Sequence, residues 1–287
     1  MKIGFFIFNA DEGEAGLECA DAVQVAIAGE RLGYHRMFVP DHSHVPVESK
    51  TDYPEGYDLP RQYYRMHDPI ATCGAIAAVT KRIQFGPGVC LVIQRDPIHL
   101  AKSVATLDHL SNGRFVLGVG AGWAREEMQN HGTDPRTRMR LMTERMAAMK
   151  EIWTKEKAEF HGEFVDFDPI YCWPKPVQTP HPPIVVGGDG PTVLDRVIAF
   201  GDEWMPSHPA DQDIEPFRPR IAELKERAKA AGRTIPVSVI NGGPEFIEPY
   251  AEMGVEECIL PLPVGPTAVT IAELERLAPL IEKYKDL

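Results

Sequence analysis

The sequence predicts an α/β fold, a single (β/α)8 barrel over residues 1–287 with an insertion after strand four, at about residues 124–182. Three observations predict it. The chain has 287 residues, and an eight-fold parallel barrel typically needs roughly 250. Short apolar runs of strand length alternate with amphipathic runs of helix length eight times. Several of the strand-like runs end in glycine, proline or aspartate, where a βα loop would begin.

The elements follow in order. Residues 3–8 read as the first strand, and residues 17–32 as a helix with Ala20, Val23 and Ile27 on one face and Gly33 as its stop. Residues 37–39 form a second strand ending in Pro40, Asp41 and His42. The stretch 43–66 is polar and tyrosine-rich (Tyr53, Tyr57, Tyr63, Tyr64), a connection of a length that usually serves function. Asp68 and Pro69 cap and start a helix to about residue 80. Residues 83–92 are the third strand, interrupted by Gly86-Pro87-Gly88. Asp96 and Pro97 start the next helix, which carries Asp108 close to its apolar stripe and stops at Ser111-Asn112-Gly113. A buried carboxylate there is expected to be structural, satisfied by N–H groups.

Residues 115–119 form the fourth strand. Residues 124–135 are polar, and residues 136–153 make a basic helix with a row of methionines (Met139, Met142, Met146, Met149) suited to core or interface packing. Residues 155–182 carry enough aromatic side chains to need burial of their own. Strands five to eight fall at residues 183–188, 203–206, 236–240 and 258–262, each followed by a helix.

Composition narrows the function. Apolar residues make up 44% and charged residues 25% of the chain, as in ordinary globular proteins. The formal net charge of -12 disfavours nucleic-acid binding, because no basic stripe offsets it. Five scattered cysteines without a CxxC pair fit reduced thiols. The opening MKIGFFIF is too short to span a membrane and lacks a cleavage pattern, so a cytoplasmic protein with no membrane partner is expected.

Chemistry is expected where strands end. Residues 114–127 read RFVLGVGAGWAREE, a strand leaving through Gly118, Gly120 and Gly122 to Trp123. Glycine there admits either a neighbouring backbone or a flat ligand. Asp41-His42-Ser43-His44 reads two ways: His42 as a proton donor or acceptor, or His42 and His44 as a metal pair. The latter would make a hydrolase, with His208 as a further ligand. Gly187 to Thr192 joins a strand to a helix, either as a plain turn or as an anion site.

In order and spacing, FVPDHSHVP, then RIQFGPGVCLVIQRDPIHLAKSVATLDHLSNGRFVLGVGAGWAREE, then EIWT, FHGEFVDF, PKPVQTPHPPIVVGG and GDEW resemble the luciferase-like monooxygenase superfamily, in its branch of coenzyme F420-dependent oxidoreductases. The resemblance runs over at least residues 1–206. It implies a barrel holding coenzyme F420, a deazaflavin, or alternatively FMN, at its C-terminal mouth. Asp41 and His42 would lie beside the reactive ring. Gly88 and Val89 would sit at a bulge in strand three, where relatives often have a non-proline cis peptide. Ala121, Gly122 and Trp123 would border the ring or its side chain, and Gly187 and Gly188 would bind the cofactor phosphate. His42 would be the catalytic residue. Some relatives carry a glutamate acid where Trp123 stands, so the proton role here falls to His42 or to Glu127. The resemblance implies hydride transfer to or from a small-molecule substrate, with FMN-dependent monooxygenation or a cofactor-binding protein without turnover as alternatives. Relatives often form homodimers.

Overall fold

A computed structural model describes residues 1–8, 19–48, 51, 59–208 and 213–287. Eight parallel strand positions close into a barrel. Five are joined in one sheet: β1 (Lys2–Phe6), β2 (Arg36–Val39), β3 (Gln84–Pro87), β10 (Ser238–Ile240) and β11 (Glu257–Pro261), in the order β10-β11-β1-β2-β3. The second sheet orders β4 (Cys90–Leu91), β5 (Leu117–Gly120), β8 (Ile184–Gly187) and β9 (Glu203–Met205). Bridges at Phe85–Phe115, Trp204–Val237 and Ser207–Ile240 close the two into one ring. The third barrel strand is thus divided into β3 and β4, and the peptide bond between them, Gly88-Val89, is cis.

Alternation along the strands builds two cores. Met37, Leu117, Val186 and Leu260 face outward and pack with the helices. Phe38, Val116, Val185, Met205, Ile240 and Ile259 face inward and fill the middle of the barrel. This period-2 division is what a sheet buried on both faces requires.

The helices that pack outside are α1 (Ala22–Leu32), α2 (Pro69–Val79), α3 (Pro97–Ser111), α5 (Arg138–Thr154), α6 (Val193–Phe200), α7 (Phe217–Ala230), α8 (Ile247–Met253), α9 (Thr267–Leu277) and α10 (Pro279–Tyr284). The insertion contributes α4 (Arg125–Asn130) before α5, and a hairpin of β6 (Ala158–His161) and β7 (Asp166–Ile170) after it.

Several boundaries differ from the sequence expectation. Helix α1 starts at Ala22, because the Asp21 side chain caps the N–H groups of Val23 and Gln24. Positions 17 and 18 of the expected helix lie outside the described residues. The first strand stops at Phe6. The polar stretch 124–135 contains α4, whose start has no side-chain cap. Residues 61–65 form a short 3-10 helix, while Tyr53 and Tyr57 lie outside the described residues. The methionine row resolves as packing: Met142, Met146 and Met149 are buried in the chain's own core. Asp108 is fully buried, and its carboxylate accepts the Gln178 backbone N–H at 2.8 Å and side-chain amide at 2.7 Å. It fixes the end of the insertion to α3.

Candidate active site

The barrel lumen is layered from bottom to top. At the N-terminal end lies a buried charged group. Arg36 Nη1 donates to both Glu203 oxygens at 2.9 and 3.0 Å, and Arg36 Nη2 lies 3.4 Å from Glu257. His35 Nδ1 stands 2.7 Å from the other Glu257 oxygen. Burial works to raise the Glu257 carboxyl, but the Arg36 guanidinium and then His35 hold it below the usual range. Sequence reasoning missed this layer. Alternation along β2, β9 and β11 places Arg36, Glu203 and Glu257 inward, and that was the available signal.

Above the apolar middle layer, a cavity of about 500 Å³ opens at the C-terminal mouth. Of the residues expected at the site, Asp41, His42, Gly88, Val89, Gly122 and Trp123 line it. Ala121, Gly187 and Gly188 lie outside that lining. Phe6, Phe8, Pro40, Pro60, Tyr63, Leu91 and Pro261 make most of its wall apolar, with Gln62, Ser207 and Asn241 as neutral polar groups.

His42 stands at the end of β2 with its ring 5.4 Å from Tyr63 and 5.6 Å from Trp123. Its Nδ1 lies 2.8 Å from Glu127 Oε2. The side chains of His42 and Glu127 are 8% and 1% exposed. The second Glu127 oxygen accepts the Ser43 N–H at 3.0 Å. Burial works to raise the Glu127 carboxyl, yet His42 and the Ser43 N–H hold it below the ordinary carboxylate range. An ionised Glu127 fixes the imidazole with its proton on Nδ1, which leaves Nε2 as the acceptor nitrogen of a residue that lines the cavity. Glu127 comes from α4, the helix that the polar stretch concealed.

Asp41 performs a different task from His42. Its carboxylate accepts the Leu91 N–H at 2.9 Å and the Arg95 guanidinium at 2.9 and 3.3 Å. It therefore ties β2 to the segment that follows the cis bond. Burial, and then the Asp41 carboxylate, push the adjacent Cys90 thiol well above its ordinary value, so it stays a neutral packing group.

The glycines of residues 114–127 divide the same way. A Cβ at Gly118 would stand 2.1 Å from Pro87 O, and one at Gly120 would stand 2.4 Å from Val89 Cγ2. These two admit the bulged third strand. Gly122 (φ +67°) is the one that turns the backbone into the cavity lining. Gly187 also faces the bulge, with Val89 Cγ1 at 2.6 Å from its would-be Cβ.

Gly188 lies at φ +107°, with open space in front of it, and its carbonyl accepts the Trp204 indole at 3.0 Å. Among the described residues, the N–H groups of Asp189, Gly190 and Thr192 have no protein partner. Arg196 donates to Thr192 Oγ1 at 2.9 Å. The Nε atoms of Arg138 and Arg196 are buried without a hydrogen-bond partner. Burial lowers the Arg196 guanidinium from its ordinary value, and Arg138 adds to that by repulsion. This corner concentrates unused donors at the start of α6, as an anion site does.

The metal reading finds other partners for its residues. His44 Nδ1 meets Ser43 Oγ at 2.9 Å and its Nε2 meets Asn130 Nδ2 at 2.9 Å. His208 is fully buried against Tyr250. Among the described residues no group of three or more His, Cys, Asp and Glu side chains is placed to hold a metal ion. Among them also no helix is long and apolar enough to cross a membrane.

The chain is thus a closed parallel barrel that carries a histidine–glutamate pair at its C-terminal mouth. It belongs to the luciferase-like monooxygenase family, whose model matches residues 1–246. An uncharacterised protein of Mycobacterium tuberculosis is 39% identical over 287 residues, covering 97% of this chain and 98% of its own. Among solved structures, the monooxygenase RslO1 of Streptomyces bottropensis shares the fold with a TM-score of 0.80 at 18% identity, over 99% of this chain and 100% of that one. An F420-dependent secondary alcohol dehydrogenase in complex with an F420-acetone adduct superposes with a TM-score of 0.76 at 18% identity, over 99% of each chain. Relatives thus include both F420-dependent and FMN-dependent oxidoreductases.

Proposed function

We propose that this protein is an oxidoreductase that moves a hydride between coenzyme F420 and a small, uncharged, largely apolar organic substrate, with His42 exchanging the proton. The observation that carries this reading is the His42–Glu127 pair, which occupies Nδ1 and leaves the other imidazole nitrogen of a cavity-lining residue to exchange a proton. The residues present fit a flat cofactor with an anionic end. Backbone at Gly88-Val89 and Gly122 offers a flat apolar surface, and the partnerless donors around Thr192, Arg138 and Arg196 suit a phosphate. When bound, a deazaflavin supplies the hydride acceptor or donor.

The chain's own groups do the rest. His42 Nε2 takes the hydroxyl proton of an alcohol, or returns it to a carbonyl oxygen. Glu127 holds the ring in the needed tautomer. Phe8, Tyr63 and Trp123 exclude water from the reacting atoms. The substrate's neutrality is argued from the wall. None of its described residues is Lys or Arg, Asp41 is paired with Arg95, and His42 with Glu127. A phosphate or carboxylate entering there would lose water without gaining a cation.

A second reading, FMN-dependent monooxygenation, is supported by the likeness to an FMNH2-dependent dimethylsulfone monooxygenase of Pseudomonas putida, 27% identical over 194 residues. An absorbance titration of the purified protein with each cofactor separates the two. Saturable binding of the deazaflavin, and not of FMN, is expected. FMN retained through purification would overturn the first reading. His42→Ala is expected to keep bound cofactor while losing turnover.

A further inference from the structure

We propose that Glu127, Ser43 and His131 form a proton relay that connects the cavity-facing imidazole of His42 to solvent. This rests on the reading of His42 as the group that exchanges a proton with substrate. The contacts are continuous. His42 Nδ1 lies 2.8 Å from Glu127 Oε2. Glu127 Oε1 accepts the Ser43 N–H at 3.0 Å and lies 3.4 Å from Ser43 Oγ. Ser43 Oγ lies 2.6 Å from His131 Nε2. His131 is exposed, at the C-terminal end of α4.

His44 fixes the direction. Its Nε2 accepts from Asn130 Nδ2 at 2.9 Å, so its Nδ1 carries the proton and donates to Ser43 Oγ at 2.9 Å. The hydroxyl proton of Ser43 is then available to His131 rather than to His44. Burial, and then the neighbouring His44, hold the His131 imidazole below its ordinary value. At neutral pH it stands uncharged and able to accept.

The relay answers a need that the cavity creates. With cofactor and substrate in place, a proton on His42 Nε2 faces apolar walls, and the imidazole and Glu127 are almost wholly buried. The back of the ring is the remaining route. During alcohol oxidation the substrate hydride carries two electrons to the cofactor, and the hydroxyl proton goes to His42 Nε2. The Nδ1 proton passes to Glu127, and the carboxyl turns to hand a proton to Ser43 Oγ. The Ser43 proton moves to His131 Nε2, and His131 releases its Nδ1 proton to water. One proton leaves for each hydride, Glu127 and Ser43 return to their starting states, and His42 and His131 are left with the proton on Nε2, so each ring must turn over before the next oxidation.

The test has two readouts. In cofactor-free protein with 15N-labelled histidine, NMR measures how fast the His42 Nδ1 proton exchanges with water. Ser43→Ala keeps the backbone donor to Glu127 and so preserves the fold, while His131→Ala removes an exposed side chain. Each is expected to slow that exchange. In turnover, each is expected to lower kcat by about tenfold or more with KM unchanged, less than the loss on removing His42 itself. Added imidazole is expected to restore kcat in His131→Ala, which a merely bracing role would not allow. Unchanged exchange in both variants, or a kcat loss that imidazole leaves untouched, overturns the relay. The exchange measurement needs neither cofactor nor substrate, so it separates failure of the relay from failure of the hydride-transfer reading.

Discussion

Replacing Glu127 by Gln probes the catalytic pair with almost no change in volume. Glu127 presents two acceptor oxygens to two donors, the His42 Nδ1–H at 2.8 Å and the Ser43 N–H at 3.0 Å. A glutamine presents one oxygen and one NH2. If its oxygen stays with the Ser43 N–H, its NH2 faces His42 Nδ1, and two donors meet. The imidazole relieves this by moving its proton to Nε2, which can then no longer take one. If the amide turns the other way, the Ser43 N–H is left unpaired against the NH2. A hydrogen bond to a charged group contributes about 1.5–3 kcal/mol, so a stability loss of that order is expected. A base held in the wrong tautomer costs about 10²- to 10⁴-fold in turnover. The expected result is a fall in kcat for alcohol oxidation within that range, KM little changed, and a modest drop in Tm. Steady-state kinetics at saturating substrate, paired with thermal unfolding, measure both. Wild-type turnover in a folded Glu127→Gln protein would refute the assignment of Glu127 as the residue that positions His42.

Arg36→Ala leaves two carboxylates buried at the base of the barrel, with Glu203 and Glu257 at 8% and 4% exposure. A loss of about 3–5 kcal/mol is expected in denaturant unfolding, and a change below 1 kcal/mol would count against the ion group as a structural element. Gly118→Ala puts a methyl group 2.1 Å from Pro87 O, so the third strand must shift, at about 1–3 kcal/mol; an unshifted Tm would show that the two strands separate freely. Stability should also depend on pH on the acid side. Glu127 and Glu257 are held below their ordinary values in the folded protein. Their contribution is therefore full above the unfolded carboxyl value of about 4.3 and is lost as pH falls through the lower folded values. A Tm that falls as pH drops below about 4 is expected from these two groups; a Tm rising there on acidification would contradict the sign.

Most of the barrel was legible because its signals are local. Asp68 and Asp96 cap helices from one residue away, each ahead of a proline at the first turn. The strands are largely apolar runs, as burial on both faces demands, with the charged residues of β2, β9 and β11 at their first positions. The missed features share one cause: the local pattern pointed elsewhere. Helix α4 is short and has one apolar residue, Met128, among charged and polar ones, so periodicity hides it, although it carries Glu127 inward. The start of α1 was placed by apolar spacing, whereas the Asp21 cap decided it.

By itself the sequence determined the order of strands and helices, the family, and the histidine at the end of the second strand. These depend on residue type and spacing along one chain. Tertiary structure alone decided what each residue does at the mouth. Asp41 and His42 are neighbours in sequence, yet one is spent on Arg95 and Leu91 while the other faces the cavity. Gly118 and Gly120 admit the third strand, and Gly122 lines the cavity. Partners such as Glu127, 85 positions away from His42, are set by barrel closure, which brings the ends of distant strands to one rim and gives each buried charge its counterpart.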